Sequence, residues 1–199
     1  TGYRNTAVGQ NALAACTEGL ENTAVGQNAA NDITTGDYNV AIGQNAGAAI
    51  TEGNSNVAIG VNSLDAVTTS SNNTAVGTNS LSALNTTSCT AIVYEAGKVT
   101  TGPYNVMLGT IAGHDNTSGQ RNTFVGYDAG RVCESGDFNV CVGFEAATGD
   151  ASVSNTIVIG HEISGNGNSF NFGKSGNVVT NVFTSNASFS RSSDLHKKT

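Results

Sequence analysis

Few residues in this chain have side chains and spacings that could do chemistry. Histidines stand at 114, 161 and 196, and cysteines at 16, 89, 133 and 141. The histidines share no phase in the chain's internal repeat, so each reads as a solvated side chain. The cysteines form no C-x-x-C pair and no zinc-ligand spacing. Cys89 and Cys141 replace an Asn and an Ala of other copies, which suits small buried thiols better than a disulfide framework. The recurring Gly-x-x-Ala-Gly (Gly43 to Gly47, Gly109 to Gly113, Gly126 to Gly130) lacks a lysine and a following helix, and is given no nucleotide role. No Ser/His/Asp order stands out among so many serines. No cofactor and no metal site are expected, and the chain does not read as an enzyme. One short segment does carry chemistry: Ser192-Ser193-Asp194-Leu195-His196-Lys197-Lys198.

The elements that must position any site are set by repetition. The motif Asn-Thr/Val-Ala-Val/Ile-Gly begins at Asn5, Asn22, Asn39, Asn56 and Asn73, every 17 residues. After a degenerate copy at Cys89 it resumes at Asn105, Asn122, Asn139 and Asn155, at intervals of 16 or 17. Gly9, Gly26, Gly43, Gly60, Gly77, Gly109, Gly126 and Gly143 close the copies at position +4, counting the Asn as zero. So short a period describes a rod of stacked units. Five residues rich in β-branched side chains and bounded by Gly read as a short strand. No helical apolar stripe survives the recurring glycines. The expected fold is all-β: a parallel β-solenoid or β-roll of about ten 16–17-residue coils, each with two short strands and two turns, on the order of 50 Å long. It spans 1–160. A β-rich connector occupies 161–191, with alternating apolar residues from Phe170 to Phe189, and 192–199 is a polar, basic end.

Positions +1 and +3 point one way and +2 the other. With both faces apolar, one fills the coil and the other needs a cover. The expectation is that the aliphatic +1 and +3 residues form the core and that the +2 alanines pack around a shared axis in a homotrimer. Asn at zero and at +6 (Asn11, Asn28, Asn45, Asn62, Asn79) fits stacked amide ladders at turns. The glycines supply positive φ or close backbone approach. Large residues at +5 (Tyr94, Tyr127, Phe144) and −1 (Tyr104, Phe138) point outward or thicken the coil; ordinary packing is favoured over a glycan-binding platform. Contact residues, if present, are expected in the variable turns Thr34–Tyr38, Thr51–Ser55, Thr100–Tyr104 and Glu134–Phe138.

The net charge is −7 and only 12% of residues are charged. No basic stripe exists to meet phosphates, so nucleic acid is not an expected partner. No apolar run approaches the ~18 residues of a membrane span, so membrane insertion is not expected either. The chain opens mid-repeat at Thr1 and reads as a piece of a longer polypeptide. An ice-binding role is disfavoured, because +1 alternates irregularly between Thr and Val and +3 is aliphatic.

Two resemblances add to this reading. The segment 192–198 resembles the Ser-Asp-x-Arg-x-Lys signature that opens the self-cleaving intramolecular chaperone of phage tail spikes and fibres, the endosialidase-type chaperone family. The resemblance implies scission between Ser192 and Ser193, with Ser193 and Lys198 as the dyad and the lysine as base. His196 stands where that family has Arg. The repeat Asn-Thr-Ala-Val-Gly-x-Asn-Ala is similar to the head repeats of trimeric autotransporter adhesins and to the Thr-Thr-Gly-x-x-Asn-Thr-Ala-Ile-Gly arrays of virus and phage fibres. It covers about four-fifths of the chain, with a longer period than the autotransporter heads. These likenesses imply a homotrimeric β-roll on a virion surface, as a tail fibre or spike, attached to a host glycan or protein. Alternatives are a bacterial trimeric surface adhesin and a purely structural extracellular filament. The polypeptide beyond Thr199 discriminates the first two: a chaperone for the virus, a coiled-coil stalk and membrane barrel for the adhesin.

Overall fold

The computed structural model describes residues 2–183. Ser193, Lys198, His196 and the proposed scission point lie outside the described residues. Nine three-residue strands come first, one per coil: β1 Thr6–Val8, β2 Thr23–Val25, β3 Val40–Ile42, β4 Val57–Ile59, β5 Thr74–Val76, β6 Thr90–Ile92, β7 Val106–Leu108, β8 Thr123–Val125 and β9 Val140–Val142. Then come β10 Ala147–Thr148, β11 Thr156–His161, β12 Ser164–Gly165, β13 Ser169–Lys174 and β14 Asn177–Val182. β1 to β9, β11 and β13 stack in sequence order as one parallel sheet, and β14 closes it antiparallel. The chain is a parallel β-solenoid of about ten coils, and no helix occurs among the described residues. Register is exact in repeat phase: Val40, Ala41 and Ile42 pair Val57, Ala58 and Ile59.

Several features differ from the sequence reading. Each of the first eight coils contains one strand, not two. The opposite side of these coils is also hydrogen-bonded from coil to coil, for example Asn28 N to Gln10 O at 2.8 Å and Ala30 N to Ala46 O at 2.9 Å. Its residues at +6 and +8 are left-handed, such as Asn28 (φ 55°) and Ala30 (φ 47°), so the backbone cannot run as an extended strand. The stack also runs past residue 160. Thr156 pairs with Ser169 and Gly160 with Gly173, so Ser169-Phe170-Asn171-Phe172-Gly173 is a hidden copy of the repeat in a coil of 13 residues. Thr156, rather than Asn155, takes position zero of its coil: it is buried, and its N–H donates to Asn139 Oδ1.

The faces of the strand are inverted relative to expectation. The +2 residues Ala24, Ala41, Ala58, Ala75, Ala91, Met107, Phe124 and Cys141 are all 0% exposed and lie inside the coil. The +1 and +3 residues face out. A 17-residue loop leaves a narrow interior, already filled from the far side by +8 and +11 (Leu64, Leu81; Ile33, Ile50, Val67, Leu84). Only a methyl fits opposite them. Where +2 is large, +8 has no side chain. A Cβ on Gly97 would lie 2.4 Å from Met107 Sδ, and a Cβ on Gly130 2.2 Å from a Phe124 ring carbon. The alanine ladder is therefore the core of one chain and cannot be the packing surface between chains.

The anchor asparagines line the same interior. Asn39 Nδ2 donates to Asn22 Oδ1 (3.1 Å) and Gly53 O (2.8 Å), and Asn39 N donates to Asn22 Oδ1 (2.9 Å). The same pattern at Asn56 and Asn73 satisfies buried backbone groups at the corners of these coils. A second, outer ladder runs from Asn11 through Asn28, Asn45 and Asn62 to Asn79, with Nδ2 to Oδ1 distances of 3.0–3.4 Å. At +4, Gly43 has φ 131°, and a Cβ there would sit 2.7 Å from Gly60 O. Val93 occupies that slot in its coil at φ 97°.

Candidate functional site

Alternation along the strand puts −1, +1, +3 and +5 on the outer face of the sheet. The successive residues Arg121 to Tyr127 follow it: Arg121 exposed, Asn122 buried, Thr123 half-buried, Phe124 buried, Val125 half-buried, Tyr127 exposed. The two central columns are Thr or Val at +1 and Val, Ile or Leu at +3. They form a continuous stripe from Thr6 and Val8 through Val57 and Ile59 to Val140 and Val142. Ile157, Ile159, Phe170 and Phe172 prolong it. Coil stacking shields these side chains only in part: Ile42 and Ile92 remain 38% exposed and Ile159 43%. This flat apolar stripe runs the length of the rod and is its main candidate for a functional surface.

Aromatic columns rim the stripe in the C-terminal half. At +5, Tyr127, Phe144 and His161 stack on consecutive coils with ring centroids 5.2 Å apart at each step. Both faces of Phe144 are thereby used within the column, so a sugar could meet only its edge. At −1, the Arg121 guanidinium lies over the Tyr104 ring on one side and the Phe138 ring on the other, 5.3 Å from each centroid. Cation–π attraction and the left-handed turn (φ 57° at Arg121) hold the guanidinium in place. Arg121 is in no ion pair among the described residues, whereas Arg4, Lys98 and Arg131 each have a carboxylate. Sequence reasoning singled out Tyr104 and Phe138 but missed Arg121, although it shares their repeat phase.

A polar network covers the far side of coils 5 to 8. Asn79 Nδ2 and Lys98 Nζ both donate to Glu95 Oε1, at 3.3 and 2.8 Å. Lys98 holds the Glu95 carboxyl below its ordinary range. His114 lies between Glu95 and Asp115, and Arg131 joins Asp115 to Asp128. A cleft of about 390 Å³ opens beside it, lined by Asp115, Asp128, Arg131, Val132, Glu134 and Glu145.

The variable turns are tied to the stack. The N–H groups of Thr34, Thr35 and Gly36 all point at Thr51 O, and those of Thr117, Ser118 and Gly119 at Glu134 O. Their backbones are hydrogen-bonded to the next coil, and side chains such as Tyr38, Tyr104 and Phe138 are exposed. The four cysteines are free thiols. Burial pushes those of Cys89, Cys133 and Cys141 above the usual thiol range. The Gly-x-x-Ala-Gly runs are the corners that turn the chain from +4 to +8. No protein-family profile, no curated protein and no solved structure matches the chain.

Proposed function

We propose that this chain is the shaft or distal part of a homotrimeric viral or phage tail fibre or spike, which spaces and attaches the particle to a host surface, with a glycan as the favoured ligand. One observation carries this reading: the solenoid bears an outward column of Val, Ile or Leu at +3, flanked by Thr or Val at +1, from β1 to β9. A lone chain in water would leave that stripe wet, at a cost of roughly 25 cal/mol per Å² of apolar area. Parallel copies about a common axis bury it from end to end. The trimer expected from the repeat thus associates through +1 and +3, not through the alanines. The work of such a rod is mechanical. Ser193 and Lys198 are proposed as a single-turnover autocleavage dyad. A glycan array probed with the assembled protein tests the attachment role. Binding to a defined glycan class supports it; an assembled rod that binds nothing leaves the purely structural filament.

The outward Thr/Val and Val/Ile columns also favour a second reading, ice binding, more than the sequence did, because the residues assigned to the core are on the surface. Thermal hysteresis at micromolar protein decides it. Activity lost in Ile59→Asp without unfolding would support ice binding; freezing behaviour like that of an inert protein rejects it.

A further inference from the structure

We infer that the Tyr104–Arg121–Phe138 column is a contact site for a carboxylate-bearing sugar. The inference rests on the attachment reading above and names its ligand class and the residues that meet it. The three residues hold position −1 on consecutive coils, each with a left-handed backbone (φ 64°, 57° and 59°). Tyr104 and Phe138 are 51% and 52% exposed, and Arg121 is exposed between them. The guanidinium lies 5.3 Å from each ring centroid, which restricts where it can point while leaving its charge at the surface. Nη1 donates to Gln120 Oε1 at 2.8 Å. A guanidinium has five N–H donors, and among the described residues no carboxylate takes any of the rest. Arg4 shows the quenched form of the same arrangement. It too stands at −1 and lies over a ring, that of Tyr3, at 5.4 Å. Its neighbour at −1 of the next coil is Glu21, which pairs with it at 2.9 Å. One coil after Arg121 that place is held by Phe138, so a ring stands where the neutralising carboxylate stands at the other end of the rod. At positions −2 and −1 of coils 6 to 10 the only other charged residue is Asp137, whose Oδ1 accepts the Gln120 N–H at 2.9 Å. In a chain of net charge −7, an unneutralised guanidinium is where an anion is drawn. A planar carboxylate pairs with the guanidinium fork, and the flanking rings offer apolar faces to a pyranose. Beyond the rings the −1 column continues with Ser88 and Asn155, so neither ring is sandwiched as Phe144 is. A polyanion would call for a row of cations; one cation between two rings suits a single acid group on a sugar.

The test is an array of carboxylated glycans, their carboxyl-reduced counterparts, sulfated glycans and acidic peptides. It is probed with the full 199-residue chain and with Arg121→Gln and Arg121→Lys, with circular dichroism as the check on folding. The parent should bind carboxylated glycans, and their reduced counterparts at least about tenfold more weakly. Arg121→Gln should lose a similar factor, and Arg121→Lys, which keeps the charge but not the planar fork, should recover only part of it. Carboxylated-glycan binding unchanged in Arg121→Gln overturns the site. So does a parent that prefers neutral glycans, sulfated glycans or acidic peptides; in each of these cases attachment itself stands. A parent that binds nothing on the array removes the attachment reading, and the site with it.

Discussion

Replacing Asn56 with Ala tests the buried amide ladder at its centre. Asn56 Nδ2 donates to Ser70 O at 2.9 Å and Asn39 Oδ1 at 3.1 Å. Its Oδ1 accepts from Asn73 N at 3.0 Å and Asn73 Nδ2 at 3.2 Å. After truncation Asn39 Oδ1 keeps the N–H of residue 56, and Asn73 Nδ2 keeps Thr86 O. Two groups lose their partner inside the coil: the Asn73 N–H and the Ser70 carbonyl. A buried group left unsatisfied costs about 1–3 kcal/mol, so the pair and the small void predict a loss of about 3–5 kcal/mol. Repeat arrays open locally, so one midpoint can hide such a loss. The assay is native-state hydrogen exchange at fixed protein concentration, monitored at the Asn73 amide and its neighbours one coil away. Protection there should fall by two orders of magnitude or more, with the terminal coils unchanged. Exchange within a factor of five of the parent at Asn73 would refute the ladder as a stabilising device.

Val93→Gly should stabilise the chain by about 1–2 kcal/mol, because Val93 holds φ 97° in a slot that is glycine in the neighbouring coils; lower stability in urea unfolding would show that its outer contacts outweigh the strain. Cys89→Asn should add about 1 kcal/mol, since Asn105 Nδ2 now turns to Gly102 O where Asn39, Asn56 and Asn73 reach the amide one coil before. No gain, or a loss, would mean that the interior there has closed around sulfur. The thiols of Cys89, Cys133 and Cys141 are raised by burial, so the folded state keeps protons that the unfolded chain gives up. Stability is thus full below the unfolded thiol value, about 8.5, and falls above it by up to about 1.4 kcal/mol per pH unit per thiol. Cys141→Ala should flatten part of that slope, and a parent profile flat to pH 10 would contradict the burial.

The solenoid was legible because one period carries strand, turn and glycine signals at once. Register, turn asparagines and glycine corners all follow from residues in phase. The direction of the faces was not legible from the strand alone, since Val-Ala-Ile is apolar both ways. The signal that could have settled it lies six residues further on. Met107 and Phe124 at +2 coincide with Gly113 and Gly130 at +8, whereas Ala58 and Ala75 coincide with Leu64 and Leu81. Volumes that trade off across a period must share one interior. The last coil escaped notice because Ser169 and Asn171 replace the usual Asn and Ala in a shortened loop. Arg121 escaped because charge was read as a total rather than by phase. Its place between the Tyr104 and Phe138 rings becomes visible only after the coil is wound.

The outward stripe is proposed here as the assembly surface of the rod. Sedimentation equilibrium of the parent chain and of Ile59→Asp tests it most directly. The parent should have a mass three times the 20.1 kDa of one chain, and the variant, whose altered side chain leaves the coil interior untouched, should dissociate. A folded, soluble monomer of the parent at micromolar concentration would contradict it.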